Sequence, residues 1–149
     1  WNRTARIDHM PYYLSKTLAE TKAWTIAGGQ TQFSLCTINP GFIIGPGVKY
    51  HPSSESFTVI KSLGSNDPNM LLGAPNFCLG VVDVRDVAAA HIAAAFLDNA
   101  TGRYLLCGHS TSFPGLAASI AKEYAPKYPV VTSTLPSFLK YVLWLIAPY

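Results

Sequence analysis

Three short apolar, β-prone runs constrain this chain more than any other feature: residues 33–39 (FSLCTIN), 77–82 (FCLGVV) and 102–107 (GRYLLC). Each is strand-sized, and longer stretches with helical spacing lie between them, so the order is strand, helix, strand rather than a series of hairpins. Strands joined by helical crossovers pair in parallel and are covered by helices. The pattern predicts the α/β class, with a parallel sheet flanked by helices. Composition points the same way. The chain is 49% hydrophobic and 13% charged, about half the ~25% charged content of ordinary soluble domains, which requires burial on most faces.

Pro11 suits a first helical turn, where its missing N–H costs nothing, and no breaker interrupts residues 12–27 before Gly28 and Gly29. Leu14, Leu18, Thr21, Trp24 and Thr25 form a stripe at helical spacing, while small Ala19 and Ala23 allow a close approach to a sheet. An amphipathic helix packed on a sheet is expected. The run 33–39 is expected to be a buried parallel strand that stops at Pro40-Gly41, followed by a functional loop to Gly47. Residues 55–63 form a plausible helix closed by Gly64. Asp83, with Asp86 three residues on, fits a capping-box start to the Ala-rich helix 87–97. Helices are also expected over 113–124 and 135–147. Ligands of such sheets bind at the C-terminal ends of the strands, which places the loop 40–47 at the ligand.

Several classes of function are disfavoured. The net charge is +3, and Lys22, Lys49, Lys61, Arg85, Arg103 and Lys127 are scattered, so no basic stripe for nucleic acid forms. Cys36, Cys78 and Cys107 lie far apart in apolar stretches without a CxxC, as expected of small buried hydrophobes in a reducing, cytoplasmic compartment. The longest apolar stretch, 138–147, carries Lys140 and spans half of the roughly 20 residues a membrane helix needs. His9, His51, His91 and His109 show no ligand spacing, so no metal is expected. The chain opens with Trp1 instead of Met, with a helix following almost at once, and reads as a piece of something longer.

The residues that invite chemistry are Tyr12 and Lys16. Four apart on one helix, they share a face with Cβ atoms roughly 5–6 Å apart. A phenol that exchanges a proton at neutral pH needs a neighbour that favours its anion, and an ammonium does so. Tyr13 is three residues from Lys16 and could reach it as well. The same spacing also describes a surface lysine beside a packing tyrosine.

Context narrows this choice. PYYLSKTLAETKAW (11–24), NPGFIIGP (39–46), GVVDVRDVAAAHIAAAF (80–96) and GRYLLC (102–107) together resemble the extended short-chain dehydrogenase/reductase family, NAD-dependent epimerase/dehydratase type. The resemblance is to the branch similar to dihydroflavonol 4-reductase and cinnamoyl-CoA reductase. It implies a Rossmann-like fold and an oxidoreductase that transfers hydride between NADP(H) and a small carbonyl or alcohol substrate, with NAD possible. Tyr12 would be the general acid/base. Lys16 would assist it and hydrogen-bond the nicotinamide ribose, and the backbone at Pro40, Gly41, Phe42 and Ile43 would meet the nicotinamide. Phe42, the loop 48–57 and the last helix would wall the substrate.

The same resemblance makes residues 1–149 the C-terminal part of a reductase domain. About 1–47 would hold the catalytic helix, strand and cofactor loop, and about 48–149 the substrate-side region and remaining sheet. The Gly-rich βαβ unit and a carbonyl-polarising Ser or Thr precede Trp1 in the family pattern, so the piece alone is expected to be inactive. Sugar-nucleotide epimerase or dehydratase and hydroxysteroid dehydrogenase chemistry use the same pair, and a non-catalytic dinucleotide-binding scaffold is the reading from another class. Asp83, Arg85 and Asp86 form a charge cluster that helix capping explains.

Overall fold

Helices separate the three apolar runs, and two of the runs are each followed directly by a second short strand. The computed structural model describes residues 1–65, 67, 74, 76–134, 136, 138 and 139. Their order is α1 (Pro11–Gly28), β1 (Cys36–Pro40), β2 (Phe42–Ile44), α2 (Glu55–Gly64), β3 (Cys78–Asp83), α3 (Val84–Phe96), β4 (Gly102–Leu106), β5 (His109–Ser112) and α4 (Phe113–Tyr124). Local chemistry explains the helix starts. The side chains of Ser54, Asp83 and Ser112 accept backbone N–H bonds from Phe57, Arg85 and Gly115 at the heads of α2, α3 and α4. Helix α1 instead begins with Pro11, after Met10 in a left-handed conformation at φ 59°. Of the expected helix 135–147, Phe138 and Leu139 are helical and Pro136 is not, and the remaining residues lie outside the described ones.

The strands form two sheets. In one, β1 and β4 pair in parallel with Thr37 opposite Arg103 and Pro40 opposite Leu106. In the other, β2 pairs in parallel with β3, and β3 pairs antiparallel with β5. Three expectations change here. Pro40 does not stop the first strand but ends it from inside, and Phe42–Ile44 is a strand rather than part of a loop. Residues of β1 are half-buried, not buried. Strand β5 was not anticipated, because HSTS carries neither apolar alternation nor β-branched bulk beyond Thr111.

The chain crosses between the sheets at two narrow points. Gly41 alone separates β1 from β2, and its N–H donates to the Leu106 carbonyl at 2.9 Å. Gly108 precedes β5, and its N–H donates to the Val81 carbonyl at 2.8 Å. A Cβ on Gly41 would lie 2.4 Å from the carbonyl oxygen of Gly80 on β3, where two backbones leave no room for a side chain. The glycine after Pro40 is thus required by contact with β3.

The apolar core lies on the second sheet. Leu63 of α2, Val81 of β3, and Phe113, Leu116 and Ala117 of α4 are buried together with Ala74. The Phe113 ring meets Phe77 edge-on at 4.7 Å and Phe42 at 6.3 Å between centroids. The other side is more open: α1 has no buried residue, and Leu18, Ile26, Phe96 and Leu105 are exposed. The accessible surface is 11052 Å², against about 7400 Å² for a compact monomer of this mass. The cysteines also differ from expectation. Cys78, at the start of β3, and Cys107, between β4 and β5, are exposed and Cys36 is half-buried, all three as free thiols.

Candidate active site

The uninterrupted α1 carries Tyr12 and Lys16 on its first two turns, and the spacing of four residues places the ammonium against the phenol. Lys16 Nζ lies 5.5 Å from the centre of the Tyr12 ring, within cation–π range. Tyr13 meets Tyr12 edge-on at 5.8 Å. Both rings are open, with Tyr12 65% and Tyr13 56% exposed. Among the described residues, then, it is Tyr12 whose ring the lysine covers.

A surface groove of about 700 Å³ runs between α1 and the β1·β4 sheet. Lys16 and Asn39, the penultimate residue of β1, both line it, as do Tyr13, Thr17 and Glu20. Tyr12 is not among its lining residues, and Pro40, Gly41 and Phe42 continue from β1 beyond it. Ile43 instead borders a second groove of about 610 Å³, walled by Ile44, Phe57, Ile60, Leu116 and Ile120 with Ser56, Ser119 and Tyr124 on its margin. Of the residues expected to wall a substrate, the structure places Ser54, Ser56 and Phe57 there. Tyr50 packs on Phe57 at 5.6 Å between centroids.

What the sequence reading missed is the group that fastens α1 to the sheet. Glu20 lies one turn beyond Lys16, and its Oε1 accepts from Arg103 Nε at 2.7 Å, Thr37 Oγ1 at 2.9 Å and Trp24 Nε1 at 3.3 Å. Its Oε2 accepts from Arg103 Nη2 at 3.0 Å. The two-pronged bond from Arg103 is the main reason its carboxyl is held down to about 2 from the usual 4.5. Partial burial opposes this, and Thr37 and Trp24 add to it. Arg103 also stacks on Trp1, 4.3 Å from the ring centre. A glutamate one helical turn from Lys16 and a threonine within an apolar strand were the only signals in the sequence. Arg103 stands 83 residues from Glu20, and no local pattern connects them.

At the head of α3, Asp83 caps the helix as expected of it, and Asp86 stands in the first turn. Asp83 Oδ1 accepts from the backbone N–H and the Nε of Arg85, and Oδ2 accepts from Nη2 at 2.6 Å. These bonds hold its carboxyl at about 2. His91 is exposed and bonds the Val87 carbonyl through Nδ1 at 2.8 Å. Among the described residues no group of His, Cys, Asp and Glu has the arrangement of a metal site, and no helix is long and apolar enough to cross a membrane.

No family model matches the chain. It is 34% identical over 129 residues to anthocyanidin reductase from Arabidopsis thaliana, an overlap of 81% of this chain and 36% of that protein. It is 30% identical over 121 residues to cinnamoyl-CoA reductase 2 from Medicago truncatula, covering 81% of this chain and 34% of that one. Among solved structures, Gre2 from Candida albicans superposes with a TM-score of 0.71 and 31% identity over 92% of this chain and 44% of its own. The complex of Candida albicans Gre2 with NADPH gives a TM-score of 0.68 at 29% identity, covering all of this chain and 51% of that one. The chain thus spans about a third of the length of the curated relatives it matches.

Proposed function

The chain belongs to the extended short-chain dehydrogenase/reductase family, and on that premise we propose that it is part of an NADP(H)-dependent oxidoreductase acting on a small carbonyl or alcohol substrate. Tyr12 is the general acid/base, Lys16 its cationic partner, and the end of β1 the nicotinamide side of the site. The observation that carries this reading is the Lys16 ammonium lying over the Tyr12 ring and lining one groove with Asn39, next to the last residue of the parallel strand β1. That relatives are named as reductases, and that one is solved with NADPH, supports it.

The residues present fit the nicotinamide end of such a cofactor. Lys16 offers an exposed cation and Tyr12 an exposed hydroxyl. Pro40 has no N–H, and that of Gly41 is already given to Leu106. The strand end therefore offers the apolar face of the Pro40 ring, against which a nicotinamide could lie, and no free N–H from Pro40 or Gly41. When bound, the reduced cofactor would supply hydride to the carbonyl carbon. Tyr12 gives its phenolic proton to the carbonyl oxygen as negative charge develops there, and recovers it from solvent afterwards. Lys16 favours the phenolate left behind, and its remaining N–H bonds suit ribose hydroxyls. The reverse reaction uses the phenolate as base.

In the full-length protein, Tyr12→Phe is expected to reduce turnover about 10²- to 10⁴-fold with NADPH affinity nearly unchanged, as read by steady-state kinetics and calorimetry. Full activity in Tyr12→Phe together with its loss in Tyr13→Phe would transfer the role to Tyr13.

A further inference from the structure

We propose that Glu20 is a positioning residue for the Tyr12–Lys16 pair: through Thr37 and Arg103 it sets where the first turns of α1 stand relative to the end of β1. The inference rests on the reading of Tyr12 and Lys16 given above and deepens it.

The position of Glu20 is the first argument. Tyr12, Lys16 and Glu20 succeed one another at intervals of four, so the carboxylate stands one turn below the ammonium on the same side of α1. Its partners lie on both strands of the first sheet, Thr37 on β1 and Arg103 on β4. Thr37 and Arg103 are themselves register partners, so one carboxylate joins the helix to a single rung of the ladder.

A second argument is that, among the described residues, little else fixes this helix. No residue of α1 is buried. Apolar packing is non-directional and tolerates sliding, whereas a two-pronged guanidinium bond fixes both distance and angle. The Glu20 side chain is only 14% exposed, and every hydrogen bond described for it points to a defined donor.

The third argument is a route to the site. Asn39 Nδ2 reaches Thr37 Oγ1 at 3.5 Å, and Asn39 lines the same groove as Lys16. Arg103, Glu20, Thr37 and Asn39 thus form a line from β4 to the last residues of β1, where Pro40 and Gly41 begin. Loss of the carboxylate would release the helix from this strand, which its ladder with β4 still holds. Misplacement of reacting groups by about 1 Å can cost up to about 100-fold in rate.

The test is Glu20→Gln in the full-length protein, with Thr37→Val as the milder variant should the first fail to fold, and Leu63→Ala as a stability control in the other core. Expected for Glu20→Gln is a loss of about 10- to 100-fold in kcat, weaker NADPH binding, and a pH profile of kcat/KM for carbonyl reduction whose alkaline limb moves to higher pH. Thr37→Val should show the same shifts in smaller measure, and Glu20→Asp partial recovery. Leu63→Ala should lower Tm and leave the pH profile in place. If Tyr12→Phe abolishes turnover but Glu20→Gln and Thr37→Val only lower Tm, with kcat and the pH profile unmoved, the positioning role is overturned and the catalytic pair stands. If Tyr12→Phe and Tyr13→Phe both leave turnover intact, the pair itself is wrong and Glu20 has nothing to position.

Discussion

The sheet β2·β3·β5 with α2 and α4 is held by buried apolar side chains, whereas α1 on β1·β4 is held by one carboxylate and its donors. In the first region Leu63, Val81, Phe113, Leu116 and Ala117 exclude water, and each contributes according to the area it hides. In the second, no residue of α1 is buried, and of its residues Glu20 is the one whose described hydrogen bonds reach Arg103 and Thr37. Dispersion and burial hold a fold without fixing one geometry closely. Directional bonds contribute less stability in water but define an orientation. The proposed chemistry sits on the second region, where orientation matters most and where a helix can be moved by changing a single group.

This contrast can be broken by experiment. Phe113→Ala removes the ring that Phe42 and Phe77 both contact, and is expected to cost about 3–5 kcal/mol of unfolding free energy in urea titration. A loss below about 1 kcal/mol would mean that the apolar core does not govern the first region. Gly41→Ala addresses the crossing between the regions. Its Cβ would press on the Gly80 carbonyl at 2.4 Å, so β1 and β3 must separate, at about 1–3 kcal/mol. Because that shift moves Pro40, turnover should fall as well. Unchanged stability in Gly41→Ala would show that the crossing is looser than the backbone contact implies.

Acid titration sharpens the comparison with a smaller effect. The Glu20 carboxyl is held at about 2 when folded, against 4.5 ordinarily. Its contribution is therefore complete above pH 4.5 and is lost as pH falls through about 2. Stability measured by urea titration at successive pH values should decline over that window, and the decline should be shallower in Glu20→Gln. Asp83, held similarly low by Arg85, adds to the decline in both proteins. Identical slopes would show that the Glu20 bonds do not persist in solution.

Local features of the sequence determined much of this molecule. Pro11, Ser54, Asp83 and Ser112 mark helix starts because capping involves only neighbouring backbone groups, and α4 runs over Phe113–Tyr124 as its apolar spacing predicts. The pairing of Tyr12 with Lys16 was legible for the same reason, since helical spacing alone brings residues four apart together. The motifs 11–24, 39–46 and 80–96 carried the family. Tertiary structure decided what depends on distant partners. It made Phe42–Ile44 a strand through β3, turned Cys78 and Cys107 outward, and required Gly41 because Gly80 comes against it. It also joined Glu20 to Arg103 across 83 residues. Periodicity and capping act within a few residues of the chain, whereas strand pairing, close backbone contacts and ion pairs are set by which elements the fold brings face to face.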